Sequence, residues 1–134
     1  MICLTTENKV YSWGSGENGI LGHGNTYGLN KPQMIKEFQS EEIINIAAGS
    51  FNSAAINVNG NLFTWGRGKY GILGQGSEED ILVPRKVKEG NLDREKVFFV
   101  SLGFYHSVCL TSIINAITII IRFHFLQFKL INLY

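Results

Sequence analysis

Trp13-Gly14-Ser15-Gly16-Glu17-Asn18-Gly19-Ile20-Leu21-Gly22-His23-Gly24 returns 52 positions later as Trp65-Gly66-Arg67-Gly68-Lys69-Tyr70-Gly71-Ile72-Leu73-Gly74-Gln75-Gly76. Val10 to Gly24 and Leu62 to Gly76 agree at 8 of 15 positions, five of them glycines. Self-similarity at a period near fifty residues is the signature of a repeat architecture. The chain is part of a repeat protein.

Each copy contains Gly-x-Gly-x-x-Gly, a pattern that also cradles pyrophosphate. Dinucleotide binding needs that motif to open a helix inside a βαβ unit. Here Ile-Leu-Gly-x-Gly follows it, and glycine at that density is poor helix sequence. The glycines are better read as positions of positive φ or close backbone approach, with Ile-Leu plugging a tight turn.

Upstream of the second Trp-Gly, Ala54 to Val58 predicts a strand, Asn59-Gly60 a two-residue type I′ turn, and Leu62 to Trp65 the returning strand. Asn8 stands where Gly60 does, and asparagine tolerates positive φ better than most residues. Downstream, Pro32 maps on Pro84, so each copy leaves its loop into an extended segment. Gln33 to Phe38 and Arg85 to Val87 then predict short edge strands. Ile43 to Gly49 matches Val97 to Gly103 at a shift of 54, the connector Lys88 to Lys96 absorbing two residues.

Those glycines open Gly49-Ser50-Phe51-Asn52-Ser53 and Gly103-Phe104-Tyr105-His106-Ser107. His106 invites a catalytic reading, but Asn52 holds the same place in the other copy. An amide can replace an imidazole as a hydrogen-bonding group and cannot replace it as a general base. A structural role is expected for both, and by the same reasoning for His23, which faces Gln75. Cys3 and Cys109 lack metal-ligand spacing and predict small buried side chains. No catalytic, cofactor or metal site is expected.

Together, Gly-x-x-(His/Asn)-Ser, the Asn-Gly-type turn, the aromatic-x-Trp-Gly strand and Gly-Ile-Leu-Gly-x-Gly resemble the regulator of chromosome condensation repeat across about residues 2 to 111. Family copies more often carry Gln at Ile20 and Ile72. The resemblance implies an all-β fold, a partial β-propeller of about two four-stranded blades, where complete members have seven. It divides the chain into repeats over 1–111 and a tail over 112–134 outside the repeat pattern.

The founding member of that family is an exchange factor for a nuclear small GTPase and docks on nucleosomes, while other members are protein-interaction domains. Function varies widely on one fold. The residues favour a non-enzymatic module that binds a protein partner, intracellular and either cytoplasmic or nuclear. The alternative is a guanine-nucleotide exchange factor for a small GTPase, and Glu78, Glu79 and Asp80 are the candidate acidic loop for it. Net charge is +1, and Arg85-Lys86-x-Lys88 is too short a basic run to predict nucleic acid or chromatin binding.

The repeat stops after Leu110-Thr111. The shift of 54 places Ile113-Ile114 at the turn positions held by Asn59-Gly60, and β-branched residues resist positive φ. Ile119-Ile120 falls where Trp-Gly is required. Ile113 to Tyr134 has 15 apolar residues in 22 and no acid, glycine or proline. A membrane-tethered repeat protein is a further alternative, but Arg122, His124 and Lys129 interrupt the tail well short of the ~20 apolar residues a spanning helix needs. A strand pair completing part of a blade is another reading, since Arg122-Phe123-His124-Phe125 alternates. The composition favours a third, translated non-coding sequence: Ile, Asn, Phe, Lys, Leu and Tyr supply 17 of the 22 residues.

Overall fold

In the computed structural model, residues 1–92, 94–113, 116–123 and 126–133 are described, with side chains as far as residue 112 except 91 and 93. Among the described residues, eleven strands form three antiparallel sheets. The first holds β1 (Ile2–Leu4), β2 (Val10–Gly14) and β3 (Leu29–Met34). The second holds β4 (Ile43–Ala48), β5 (Asn52–Asn57), β6 (Leu62–Gly66) and β7 (Ile81–Lys86) in sequence order. The third holds β8 (Lys96–Leu102), β9 (Ser107–Ile113), β10 (Ala116–Phe123) and β11 (Leu126–Leu133).

The registers repeat as the sequence does. Leu4 pairs Val10 as Ile56 pairs Leu62, and both copies break register at the tryptophan, between Ser12 and Gly14 and between Thr64 and Gly66. A bulge re-aims the side chain it carries, and Trp65 turns into the space between two sheets, with no solvent exposure. A second bulge recurs between Ile43 and Asn45 and between Val97 and Phe99.

The middle sheet is covered on both faces, so all of β5 is buried. Its period of two sends Ala55 into a cluster with Val10, Ile35, Phe38 and Trp65, while Ala54 and Ile56 join Leu62, Val97 and Val100 on the opposite face. Two interfaces between neighbouring sheets are therefore the core.

Three local readings need correction. The hairpins are three-residue loops, not two-residue turns: the Gly60 amide donates to the Asn57 carbonyl and the Asn57 amide to Asn61. Positive φ falls only on the third loop residue, Gly60 at 79° and Asn8 at 60°, as a turn followed by one left-handed residue requires. Asn57 Oδ1 accepts from the Asn59 and Asn61 amides at 3.1 and 2.9 Å, which fastens that geometry. The edge strands also begin earlier than predicted, at Leu29 and Ile81, and Lys36–Phe38 is a 3-10 turn. Pro32 and Pro84 thus lie within the outermost strands β3 and β7, where a missing donor faces away from the ladder.

The tail pairs as strands. β10 pairs β9 from Ala116↔Ile113 to Arg122↔Ser107, and β11 pairs β10 from Ile117↔Leu133 to Phe123↔Leu126. Of the expected turn pair Ile113-Ile114, Ile113 ends β9, and Ile114 lies outside the described residues. β9 runs one residue longer than β5 (7 against 6).

Candidate interaction surface

The glycine loops sit at one end of the sheets, with the turns Gly49–Phe51 and Gly103–His106. Their amides are taken up internally: Gly19 N–H donates to Gly16 O, Gly22 N–H to Gly19 O, and Gly71 and Gly74 repeat both bonds. Gly16 and Gly68 each press against a backbone, so a Cβ would strike the Tyr27 or Glu79 carbonyl oxygen. Gly22 combines φ of 79° with a berth against the Trp65 indole. Those amides are therefore not offered to a phosphate.

The loops instead join neighbouring sheets. Ile20 O accepts from Trp65 Nε1 and from Ser53 Oγ, both at 3.0 Å, and Ile72 O accepts from Ser107 Oγ at 2.7 Å. Because the carbonyl does this work, the isoleucines where family copies more often carry Gln leave the bond intact. Of the expected plug, Leu21, Ile72 and Leu73 are buried, and Ile20 is half-buried.

His23 and Gln75 occupy equivalent places. Ser12 Oγ donates to Leu21 O at 2.6 Å, as Thr64 Oγ1 does to Leu73 O. With that proton committed, His23 Nε2–H donates to Ser12 Oγ at 2.9 Å, as Gln75 Nε2 does to Thr64 at 3.0 Å. Burial holds the His23 imidazole below its usual range, against the opposing pull of the Ser12 bond and the Glu37 carboxylate. Asn52, buried, folds back over Gly49 and donates to Ser107 Oγ at 3.5 Å, reaching the next sheet. His106 folds over Gly103 in the same manner. Cys109 is buried and its thiol is pushed up to about 11, first by burial and then by the Glu95 carboxylate. Cys3 is half-buried.

Of the three acidic candidates, Asp80 clips two loops together: Oδ1 accepts from the Gly68 amide and Oδ2 from Asn18 Nδ2, each at 2.9 Å. Glu78 and Glu79 are exposed beside Gly68.

A row of aromatic rings crosses this end from the second sheet to the third. Phe51 meets Phe104 edge-on at 5.2 Å, Phe104 meets Tyr105 at 4.4 Å, and Tyr105 meets Tyr70 at 5.5 Å. Arg67 lies over Phe51 at 5.1 Å and Lys69 over Tyr70 at 4.9 Å. Phe104 and Tyr105 remain 47% and 52% exposed, high for rings of this size. On the far side of Phe51, a cleft of ≈360 Å³ opens between Ser15, Glu17 and Ser50. Sequence reading did not single out this row. Its signal was divergence between copies, with Arg67, Lys69 and Tyr70 standing where the first copy has Ser15, Glu17 and Asn18.

Stacked antiparallel sheets tied by a repeated serine to a loop carbonyl, with Trp65 sharing the acceptor at the first boundary, define a β-propeller repeat protein. The family model for the regulator of chromosome condensation (RCC1) repeat matches residues 7–56 and 59–110, and the chain belongs to that family. It is 38% identical over 110 residues to the human E3 ubiquitin-protein ligase HERC2, covering 82% of this chain and 2% of that protein. It is 39% identical over 107 residues to the ultraviolet-B receptor UVR8 of Arabidopsis thaliana, covering 80% of this chain and 24% of the receptor. Among solved structures, human WBSCR16 superposes with a TM-score of 0.81 at 20% identity, over 97% of this chain and 35% of that one. Prp20p of Saccharomyces cerevisiae, described with its binding to Gsp1p and histones, gives 0.68 at 24% identity, over 76% and 26%. The chain therefore spans a small part of each relative. Among the described residues, no helix is long and apolar enough to cross a membrane.

Proposed function

We propose that this chain is a non-catalytic segment of a β-propeller that binds protein partners, inside the cell, through the loop end of its sheets. The carrying observation is a division of labour: Ser12, His23, Asn52, Asp80 and Gln75 tie the loops together, while large rings at the same end stay exposed. Repeats over 1–111 supply that surface, and 112–134 supply strands outside the repeat pattern. The test is site-specific photo-cross-linking from the loop end of the full chain in cells. Adducts with a defined set of proteins support the reading, and none would remove the loop end as the binding surface.

A second reading is guanine-nucleotide exchange on a small GTPase. It is motivated by the likeness to Prp20p and by the exposed Glu78 and Glu79. Asp80 is already engaged by the Gly68 amide and Asn18, which weakens the acidic loop as a phosphate-displacing wedge. Fluorescent GDP release from a panel of small GTPases decides it: catalysed release establishes exchange.

A further inference from the structure

One ring of the aromatic row, Tyr70, carries backbone strain and also packs against the core cluster of the first boundary. Tyr70 is held at φ 69°, a left-handed conformation that its counterpart Asn18 adopts at 55°. Asparagine visits that region readily, whereas a tyrosine there stores strain, and such strain collects at binding sites. In this conformation the Tyr70 ring meets Tyr105 of the next sheet and lies under the Lys69 ammonium. A position that costs energy in one repeat thus extends a surface shared by two.

The charges on that surface select its partner. Arg67 and Lys69 flank the row at either side of Gly68, each above a ring face. Rings offering exposed edges between two cations suit an apolar or aromatic anchor flanked by carboxylates. A nucleic-acid backbone suits them less, because two cations do not make the extended basic face that it requires.

We propose that Phe51, Phe104, Tyr105 and Tyr70, edged by Arg67 and Lys69, form the docking surface for an acidic peptide segment of a partner protein. Its apolar anchor packs on Phe104 and Tyr105, and its carboxylates pair with the two cations. This rests on the interaction-module reading and gives it a location and a chemistry.

The experiment selects peptides from a random phage-displayed library on the full chain. Binding is then measured by anisotropy for the selected sequences and for a fluorescent oligo-thymidine. Selected peptides should carry Asp or Glu beside Phe, Leu or Tyr and should weaken with salt. They should lose about tenfold or more in affinity on Phe104→Ala/Tyr105→Ala and on Arg67→Glu/Lys69→Glu, as central contacts do. Unfolding midpoints check that both variants fold, and Tyr105→Phe should retain binding as the conservative control. Peptides without acidic residues, affinities unmoved by either double variant, no enrichment, or tighter binding of the oligonucleotide would each overturn the proposal. Photo-cross-linkers at Tyr105 and at Val58, on the opposite end of the sheets, separate the two levels. Adducts only from Val58 would remove this surface and keep an interaction module, and adducts from neither would remove both.

Discussion

Trp65 Nε1 donates to the Ile20 carbonyl oxygen at 3.0 Å, across the boundary between the first and second sheets. The acceptor belongs to one repeat and the donor to the next, so the bond couples units that local sequence forms separately. Ser53 Oγ reaches the same oxygen, filling its second lone pair. Trp65→Phe keeps most of the buried ring and removes one donor. The expected loss is about 1–2 kcal/mol in urea unfolding, the worth of a buried hydrogen bond plus a small void. Ser53→Ala added to it should cost more than the sum of the two single changes, because the carbonyl is then stranded. Additive losses would show that the shared acceptor does not couple the sheets.

Two glycines one turn apart separate close approach from backbone conformation. Gly71 has φ 65° and open space where a Cβ would sit, so Gly71→Ala meets only the left-handed penalty, about 1–2 kcal/mol. Gly68 has ordinary φ near −94°, but a Cβ there would strike the Glu79 carbonyl and displace the amide that Asp80 accepts. Gly68→Ala should cost about 2–4 kcal/mol through overpacking and a broken bond. The order of the two unfolding midpoints is the check, and equal midpoints would refute it.

Architecture was legible in the sequence wherever two copies could be compared. The 52-residue shift located the hairpins, the tight glycine loops and the equivalence of His23 with Gln75, since each depends on a repeated local geometry. The turn type was missed because Asn-Gly also ends a three-residue loop, where Asn59 keeps negative φ and Asn57 supplies the fastening oxygen. The aromatic row was missed for a different reason. Phe51, Tyr70 and Phe104 are far apart in sequence and meet only when the sheets stack. The third sheet was hardest to read, because its pairing partners carry no repeat signature.

His23 should make stability depend on pH. Burial lowers its folded-state pKa beneath the ordinary imidazole value of 6.5, so the unfolded chain binds the proton more readily. Stability is then full above the unfolded value and falls as pH drops below about 6.5 toward the folded pKa. His23→Gln preserves a donor to Ser12, as Gln75 does for Thr64, and removes the titration. Urea midpoints between pH 7 and 5 should fall more in the parent chain than in the variant. Parallel curves would show that His23 does not contribute.

The strands beyond the family match can be tested by ending the chain after Ser112. That removes β10, which pairs with β9 along seven positions from Ala116↔Ile113 to Arg122↔Ser107, and leaves β9 as an edge. An unpaired, apolar edge strand loses its ladder bonds and templates association with other chains. β9 carries Cys109 and Thr111, both buried, so loosening it also opens the second interface, where Cys109 packs with Val97 and Val100. A loss of 1 kcal/mol moves the melting temperature of a chain this size by several degrees. The truncated chain should melt at least that much lower and scatter light at lower concentration. Loss of the Cys109 burial gives a second readout, since a thiol held up at about 11 reacts slowly with iodoacetamide near neutral pH and a loosened one reacts faster. Unchanged melting and unchanged alkylation would mean that the last strands add nothing to the stack.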